Sequence, residues 1–230
     1  MALCVRHGAL LIFDEVQTGL GRTGKRFALE HWDVEPDILC VGKILSGGMV
    51  PVSAVLYTER IHKAERMRPL FNNSSFGGNA LACAAAITTI NLLQDRYFER
   101  AQVLGDLLAK VFDDLVKEFP GYIAGYHGHG LMRCLEFHTP IFGCVFGEWM
   151  RRDESILVAA MSHIPHFVRV SPPFVCEDSD IEEIGEAARR VLRAMSNFTP
   201  QQLFEDFSKL LQEVQQAMAE ASIDQQGALA

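Results

Sequence analysis

The chain has 230 residues, 49% of them hydrophobic and 22% charged, with 21 Lys+Arg against 29 Asp+Glu and a formal charge of −8. That balance argues against nucleic acid and against an anionic membrane surface as partners, and the 15 Phe supply core mass that disordered chains lack. The six cysteines are scattered with no C-x-x-C pair, the usual picture of a reducing compartment, so a cytoplasmic globular protein is expected.

Gly8 to Phe13 is a short apolar run ending in Asp14-Glu15, and Asp37 to Val41 is a second, followed by Gly42-Lys43. Runs of this kind, bounded by polar turns, read as strands buried on both faces of a parallel sheet. Between them lies a loop with Gly19, Gly21 and Gly24, then an amphipathic stretch from Phe27 to Trp32. Val52 to Tyr57 is a third apolar run. Gly77-Gly78-Asn79 opens a long helical pattern, Ala80 to Phe119, interrupted near Asp95-Arg96 and ended by Pro120-Gly121. Strands alternating with helices predict an α/β sheet.

Beyond Gly121, the segments 130–137, 156–161 and 167–170 read as strands and 143–152 as a helix. Ser179-Asp-Ile-Glu182 reads as a capping box opening a helix with Ile181, Ile184, Ala188, Val191, Leu192 and Met195 on one face. Thr199-Pro200-Gln-Gln202 repeats the device before Leu203, Phe207, Leu210, Leu211, Val214 and Met218. The final dozen residues, small and polar, are expected to fray.

Lys43 stands at the carboxyl end of a strand beside Ser46-Gly47-Gly48, where parallel α/β sheets bind ligands. A lysine there can be a nucleophile toward a carbonyl, or simply a solvated residue that ends a strand. Asp14 ends the neighbouring run, and an aspartate at such an edge needs a cationic partner. A structural ion pair would account for that as well as a cofactor would. His127-Gly-His129 lacks a nearby third ligand, so no metal site is expected. Cys40 reads as a small buried hydrophobe.

Asp14-Glu-Val-Gln-Thr-Gly-Leu-Gly-Arg-Thr-Gly24, Glu35-Pro-Asp-Ile38, Lys43 with Gly47-Gly48, Ser75-Phe-Gly-Gly-Asn79 and Arg169-Val-Ser-Pro-Pro-Phe174 occur in this order. Together they resemble the class III pyridoxal-phosphate-dependent aminotransferases of the ornithine, acetylornithine, 4-aminobutyrate and putrescine type, from Ala2 to about Met195. The resemblance implies the fold-type I architecture, here the later part of a large domain with a mostly parallel sheet (1–105), a connecting helix (about 80–119), a small α/β domain (120–198), and an amphipathic helix and tail (199–230). It also implies a homodimer.

By resemblance, Lys43 forms the internal aldimine and moves the α-proton. Asp14 holds the pyridine nitrogen protonated, Val16 packs on the ring and Gln17 bonds its phenolic oxygen. Ser75, where relatives usually have Thr, reaches the phosphate of the neighbouring subunit's cofactor. Arg169 grips a substrate carboxylate. Val16 reads equally as core packing; Gln17 has the alternative of a turn residue, and Arg169 the lesser alternative of a structural partner of the acidic residues at 177–183. His127-Gly-His129 stands where relatives show Arg-Gly before Gly-Leu-Met and reads as a drifted turn.

The resemblance covers the C-terminal half of longer relatives. The glycine/serine loop that cradles the phosphate and the aromatic that stacks on the ring lie upstream in those relatives. Two readings follow: transamination between an amino donor and a 2-oxo acid, or a truncated, non-catalytic chain that needs a partner half. An aminomutase, racemase or decarboxylase on the same scaffold is a third reading.

Overall fold

The computed structural model describes residues 2–63, 74–161, 163–210, 212 and 216. They form two compact units. The first holds Met1–Asp106, Gly128–Met132 and Pro172–Val175, and the second Leu107–His127, Arg133–Ser171 and Cys176–Ala230.

In the first unit, a short helix α1 (Ala2–His7) leads into β1 (Ile12–Asp14), followed by β2 (Ile38–Val41), β3 (Ala54–Tyr57) and helix α2 (Glu59–His62). The sheet order is β1-β2-β3. The expected parallel pairing holds for β1 and β2, with Asp14 opposite Cys40, while β3 runs antiparallel to β2. The apolar runs are not buried on both faces: Ile12 is 56% exposed, Val55 57% and Leu56 50%. An apolar run reports a strand that can be covered, whereas the covering itself depends on neighbouring elements. The helical pattern over 80–119 is two helices, α3 (Ala80–Leu92) and α4 (Asp95–Glu118), parted at Leu93-Gln94. Asn79 caps α3 by accepting from the N–H groups of Leu81 and Ala82, both at 3.1 Å.

The loop after β1 is held by buried polar groups. Glu15 is 4% exposed, and its carboxylate accepts from the Thr18 hydroxyl and from the backbone N–H groups of Ala28 (3.0 Å) and Leu29 (2.7 Å). It thereby satisfies orphan donors at the start of a 3-10 helix, Ala28–His31. The Arg22 guanidinium donates to the Pro172 carbonyl at 2.7 Å and lies 4.6 Å from the Phe174 ring centre. Gly21 (φ +95°) leaves room for Phe98, whose ring would stand 2.5 Å from a Cβ placed there. A Cβ on Gly105 of α4 would meet the Gly130 backbone at 2.5 Å. Leu20, Val41 and Leu45 form a small core against Phe27, Leu39, Ile44, Val52, Ala86 and Leu93. Asp37 ties β2 to the chain before β1. Its carboxylate accepts from Leu11 N–H at 2.9 Å and from Arg60, which together hold the carboxyl below the usual range.

Apart from the Gly128–Met132 turn region, the second unit carries the sheet of β4 (Ile123–His129), β5 (Met132–Phe137), β6 (Ala159–Met161) and β7 (Ile164–Val170), in the order β4-β5-β7-β6. Helices α5 (Pro140–Asp153) and α6 (Asp178–Met195) pack in this unit, and a further helix covers 200–210. Leu108, Phe112 and Leu115 of α4, Leu135 and Phe137 of β5, Val145, Phe146 and Met150 of α5, Val168 of β7, and Ile181, Ala188, Leu192 and Met195 of α6 are almost fully buried. Their helical spacing, and their spacing of two on β5, builds a core of about one fully buried face per element. The expected box at Ser179 is shifted: Glu177 is the N-cap, and its N–H donates to Asp180 Oδ2 at 2.7 Å. The Thr199 box forms as expected, with Thr199 N–H to Gln202 Oε1 at 2.8 Å and Gln202 N–H to Thr199 Oγ1 at 3.3 Å. Leu211, Val214, Met218 and the tail lie outside the described residues. Among the described residues, no helix is long and apolar enough to cross a membrane.

Two substitutions test these constraints by urea unfolding. Gly105→Ala gains about 1 kcal/mol of helix propensity but forces a methyl onto the Gly130 backbone, and a net loss of about 2 kcal/mol is expected. A stabilised variant would show that this approach is loose. Glu15→Gln keeps the shape but replaces one acceptor oxygen by an NH2 that faces a backbone N–H, with an expected loss of about 2 kcal/mol.

Candidate functional site

Lys43 follows β2 directly and opens a 3-10 turn, Lys43–Ser46, closed by Gly47 in the left-handed region. Lys43 itself has φ +49°, a conformation that a side chain with a Cβ adopts at a cost of about 1–2 kcal/mol. The turn is pinned from both sides. A Cβ on Gly42 would sit 3.4 Å from the Val16 side chain, and one on Gly47 would sit 3.1 Å from the Thr89 hydroxyl of α3. Ser46 is buried, and its hydroxyl donates to the Val50 carbonyl at 2.5 Å. The lysine is therefore exposed on a turn that packs against Val16 and Thr89.

It opens onto a cavity of about 870 Å³ lined by Lys43, the Val50–Ser53 segment, Ser74, Phe76 to Asn79, and Ala82 and Cys83 of α3. A volume of that order accommodates a small organic ligand. Asp14 is exposed at the end of β1, and its Oδ1 accepts from Val16 N–H at 3.0 Å. Because β1 and β2 are parallel and Asp14 faces Cys40, Asp14 and Lys43 stand at the carboxyl ends of adjacent strands. Val16 is half-buried beside Gly42, and Gln17 is half-buried in the following turn. Ser75 is exposed in the turn whose neighbours Ser74 and Phe76 line the cavity, but it does not line the cavity itself.

Arg169 belongs to the second unit. It sits on β7, half-buried, in register with Cys134 of β5 and Ala159 of β6. Among the described residues no carboxylate is in ion-pair contact with it, so the acidic residues at 177–183 are otherwise engaged or free of it: Asp180 caps α6 and Glu183 pairs with Arg190 at 2.6 Å.

The two histidines do not form a turn. Both lie on β4, and the turn follows at Gly130-Leu131. His127 Nε2 donates to Glu136 Oε2 at 2.7 Å, while His129 stacks on His31 with ring centres 4.9 Å apart. Cys40 is half-buried rather than buried, and its carbonyl accepts from Glu15 N–H at 2.9 Å. Burial pushes the Cys134 and Cys144 thiols up, away from nucleophilic use. Glu15 and Arg22, which secure the loop between the site strands, carried no assigned role in the sequence reading. Their only signal was membership of the Asp14–Gly24 string.

The model of the aminotransferase class-III family matches residues 1–192. Among solved structures, acetylornithine aminotransferase from Elizabethkingia anophelis superposes with a TM-score of 0.73 at 34% identity, over 84% of this chain and 48% of that one. Ornithine aminotransferase from Plasmodium yoelii gives 0.73 at 28% identity, over 84% and 50%. Ornithine aminotransferase from Toxoplasma gondii, crystallised with oxidised glutathione and with pyridoxal phosphate partially occupying its active site, gives 0.74 at 33% identity, over 85% and 46%. The chain thus spans about half the length of the solved relatives it matches, and shares their mixed α/β fold over that part. It belongs to the class-III aminotransferases, a family of pyridoxal-phosphate-dependent enzymes.

Proposed function

We propose that this chain serves pyridoxal-phosphate-dependent transamination between an amino donor and a 2-oxo acid, with Lys43 as the residue that holds the cofactor. One observation carries the reading: Lys43, with a left-handed backbone at the end of β2, lines the 870 Å³ cavity. The donor set fits the group, since a primary amine and a carboxylate at the ends of adjacent parallel strands match an aldehyde and a basic ring nitrogen.

When bound, the cofactor supplies an electron sink for the carbanion formed at the substrate's amine-bearing carbon. Lys43 Nζ is the tether, and once released it is the base that carries the proton of that carbon. Asp14 holds a proton on the ring nitrogen by offering an unprotonated carboxylate. Val16, fixed against Gly42, packs on the ring, and Gln17 bonds its oxygen substituent. Ser75 reaches the phosphate across a homodimer interface, and Arg169 takes a substrate carboxylate as a bidentate pair. On this reading the first unit is the cofactor-holding part and the second the small domain.

A second reading, in which the chain holds only part of the site and needs further protein to complete it, draws support from the exposed apolar strands β1 and β3. Visible absorbance after incubation with pyridoxal phosphate separates the two. The first reading expects a yellow band that borohydride removes and that Lys43→Ala lacks. A folded chain with no band would leave the family intact and end independent cofactor binding.

A further inference from the structure

One face of the second unit's sheet is half-buried and carries an unusual charge arrangement. In the β5–β7 ladder Cys134 faces Arg169 and Glu136 faces Phe167, so these four side chains share the face opposite the buried Leu135, Val168 and Val170. Glu136 is the only acidic residue in the four strands of this sheet. By the register it is the diagonal neighbour of Arg169, a spacing of about 7–8 Å along the sheet and within reach of two long side chains. An Arg and a Glu on this diagonal can reach each other as a bidentate bridge.

It does not form. Glu136 is turned to the other side, where His127 Nε2 on β4 holds its Oε2 at 2.7 Å. The His127 ring is itself braced 5.6 Å from Phe167, which is 4.6 Å from His166. The carboxylate acceptor makes Nε2 the protonated nitrogen, so this bond survives whether the imidazole is neutral or charged.

We infer that His127 is a positioning residue that keeps Glu136 off Arg169 and so leaves the guanidinium available to an anionic ligand, the carboxylate of a 2-oxo acid. This rests on the reading of Arg169 as the carboxylate-binding residue. Without His127, Glu136 swings along its diagonal and competes with the ligand for the same donors. Glu136 alone is then an internal competitor, and the His127–Glu136 bond sets the affinity of a residue that neither of them adjoins in sequence.

The test uses the full chain with 15N-labelled arginine. It reads the Arg169 Nε–Hε signal and the dissociation constant for 2-oxoglutarate in the wild type, His127→Ala, His127→Gln and His127→Ala/Glu136→Gln. His127→Ala is expected to shift the Arg169 signal to that of a carboxylate pair before any ligand is added, and to weaken 2-oxoglutarate about three- to fivefold. His127→Gln retains a donor and should behave as the wild type. The double variant should return both readouts to within about twofold of the wild type.

Equal losses in His127→Ala and in the double variant would make His127 merely structural and overturn the inference, as would an unmoved Arg169 signal in His127→Ala. A separate failure is visible if 2-oxoglutarate leaves the wild-type Arg169 signal unmoved. That would remove Arg169 as the carboxylate site, and the ligand-free Arg169 signal would still decide whether His127 restrains Glu136.

Discussion

The buried carboxylate of Glu15 is the interaction on which the first unit's site depends. A carboxylate at 4% exposure is tolerable only when its lone pairs are taken, and a hydroxyl and two backbone N–H groups take them here. By doing so it folds the chain from Thr18 to Leu29 back over the end of β1. Asp14 and Val16 are on the near side of that fold, and Val16 in turn abuts the glycine that precedes Lys43. A side chain that touches no ligand thus fixes the two strand ends between which the chemistry is proposed.

The glycine-rich string that identifies the family is, in this light, mostly a packing device. Gly21 admits Phe98, Arg22 reaches the Pro172 carbonyl and the Phe174 ring, and the Thr23 hydroxyl lies 3.1 Å from His31 Nε2. Two motifs 150 residues apart, the Gly-Arg-Thr-Gly loop and the Pro-Pro-Phe turn, are therefore read together because they are bonded to each other. The residues of such a string hold the geometry of the loop as much as they could supply chemistry.

Much of the architecture was legible. β2, α5, α6 and the Thr199 box followed from apolar runs, helical spacing and caps, since those signals are local. β4 was missed because Ile-Ala-Gly-Tyr-His-Gly-His has two glycines and two histidines and little β-propensity; pairing with β5 overrides that. The α6 cap slipped by two positions because Glu177, Asp178, Ser179 and Asp180 offer several frames, and only the backbone decides among them. At the site, the strand-end positions of Lys43 and Asp14 could be read. The left-handed φ of Lys43 and the cavity opposite it could not, because both arise from contacts distant in sequence. The partnership of His127 with Glu136 was hidden for the same reason.

The exposed strands bear on how the molecule behaves in solution. Among the described residues β1 and β3 are the two outer strands of their sheet, and each presents an apolar side chain more than half exposed. What opposes edge-to-edge stacking is the net charge of −8, which repels like chains at long range. Coulomb repulsion of this kind fades within about 8 Å at physiological ionic strength. Self-association should therefore grow with added salt and as the pH approaches the isoelectric point, so ionic strength acts on this fold as a colloidal variable as well as a ligand-binding one.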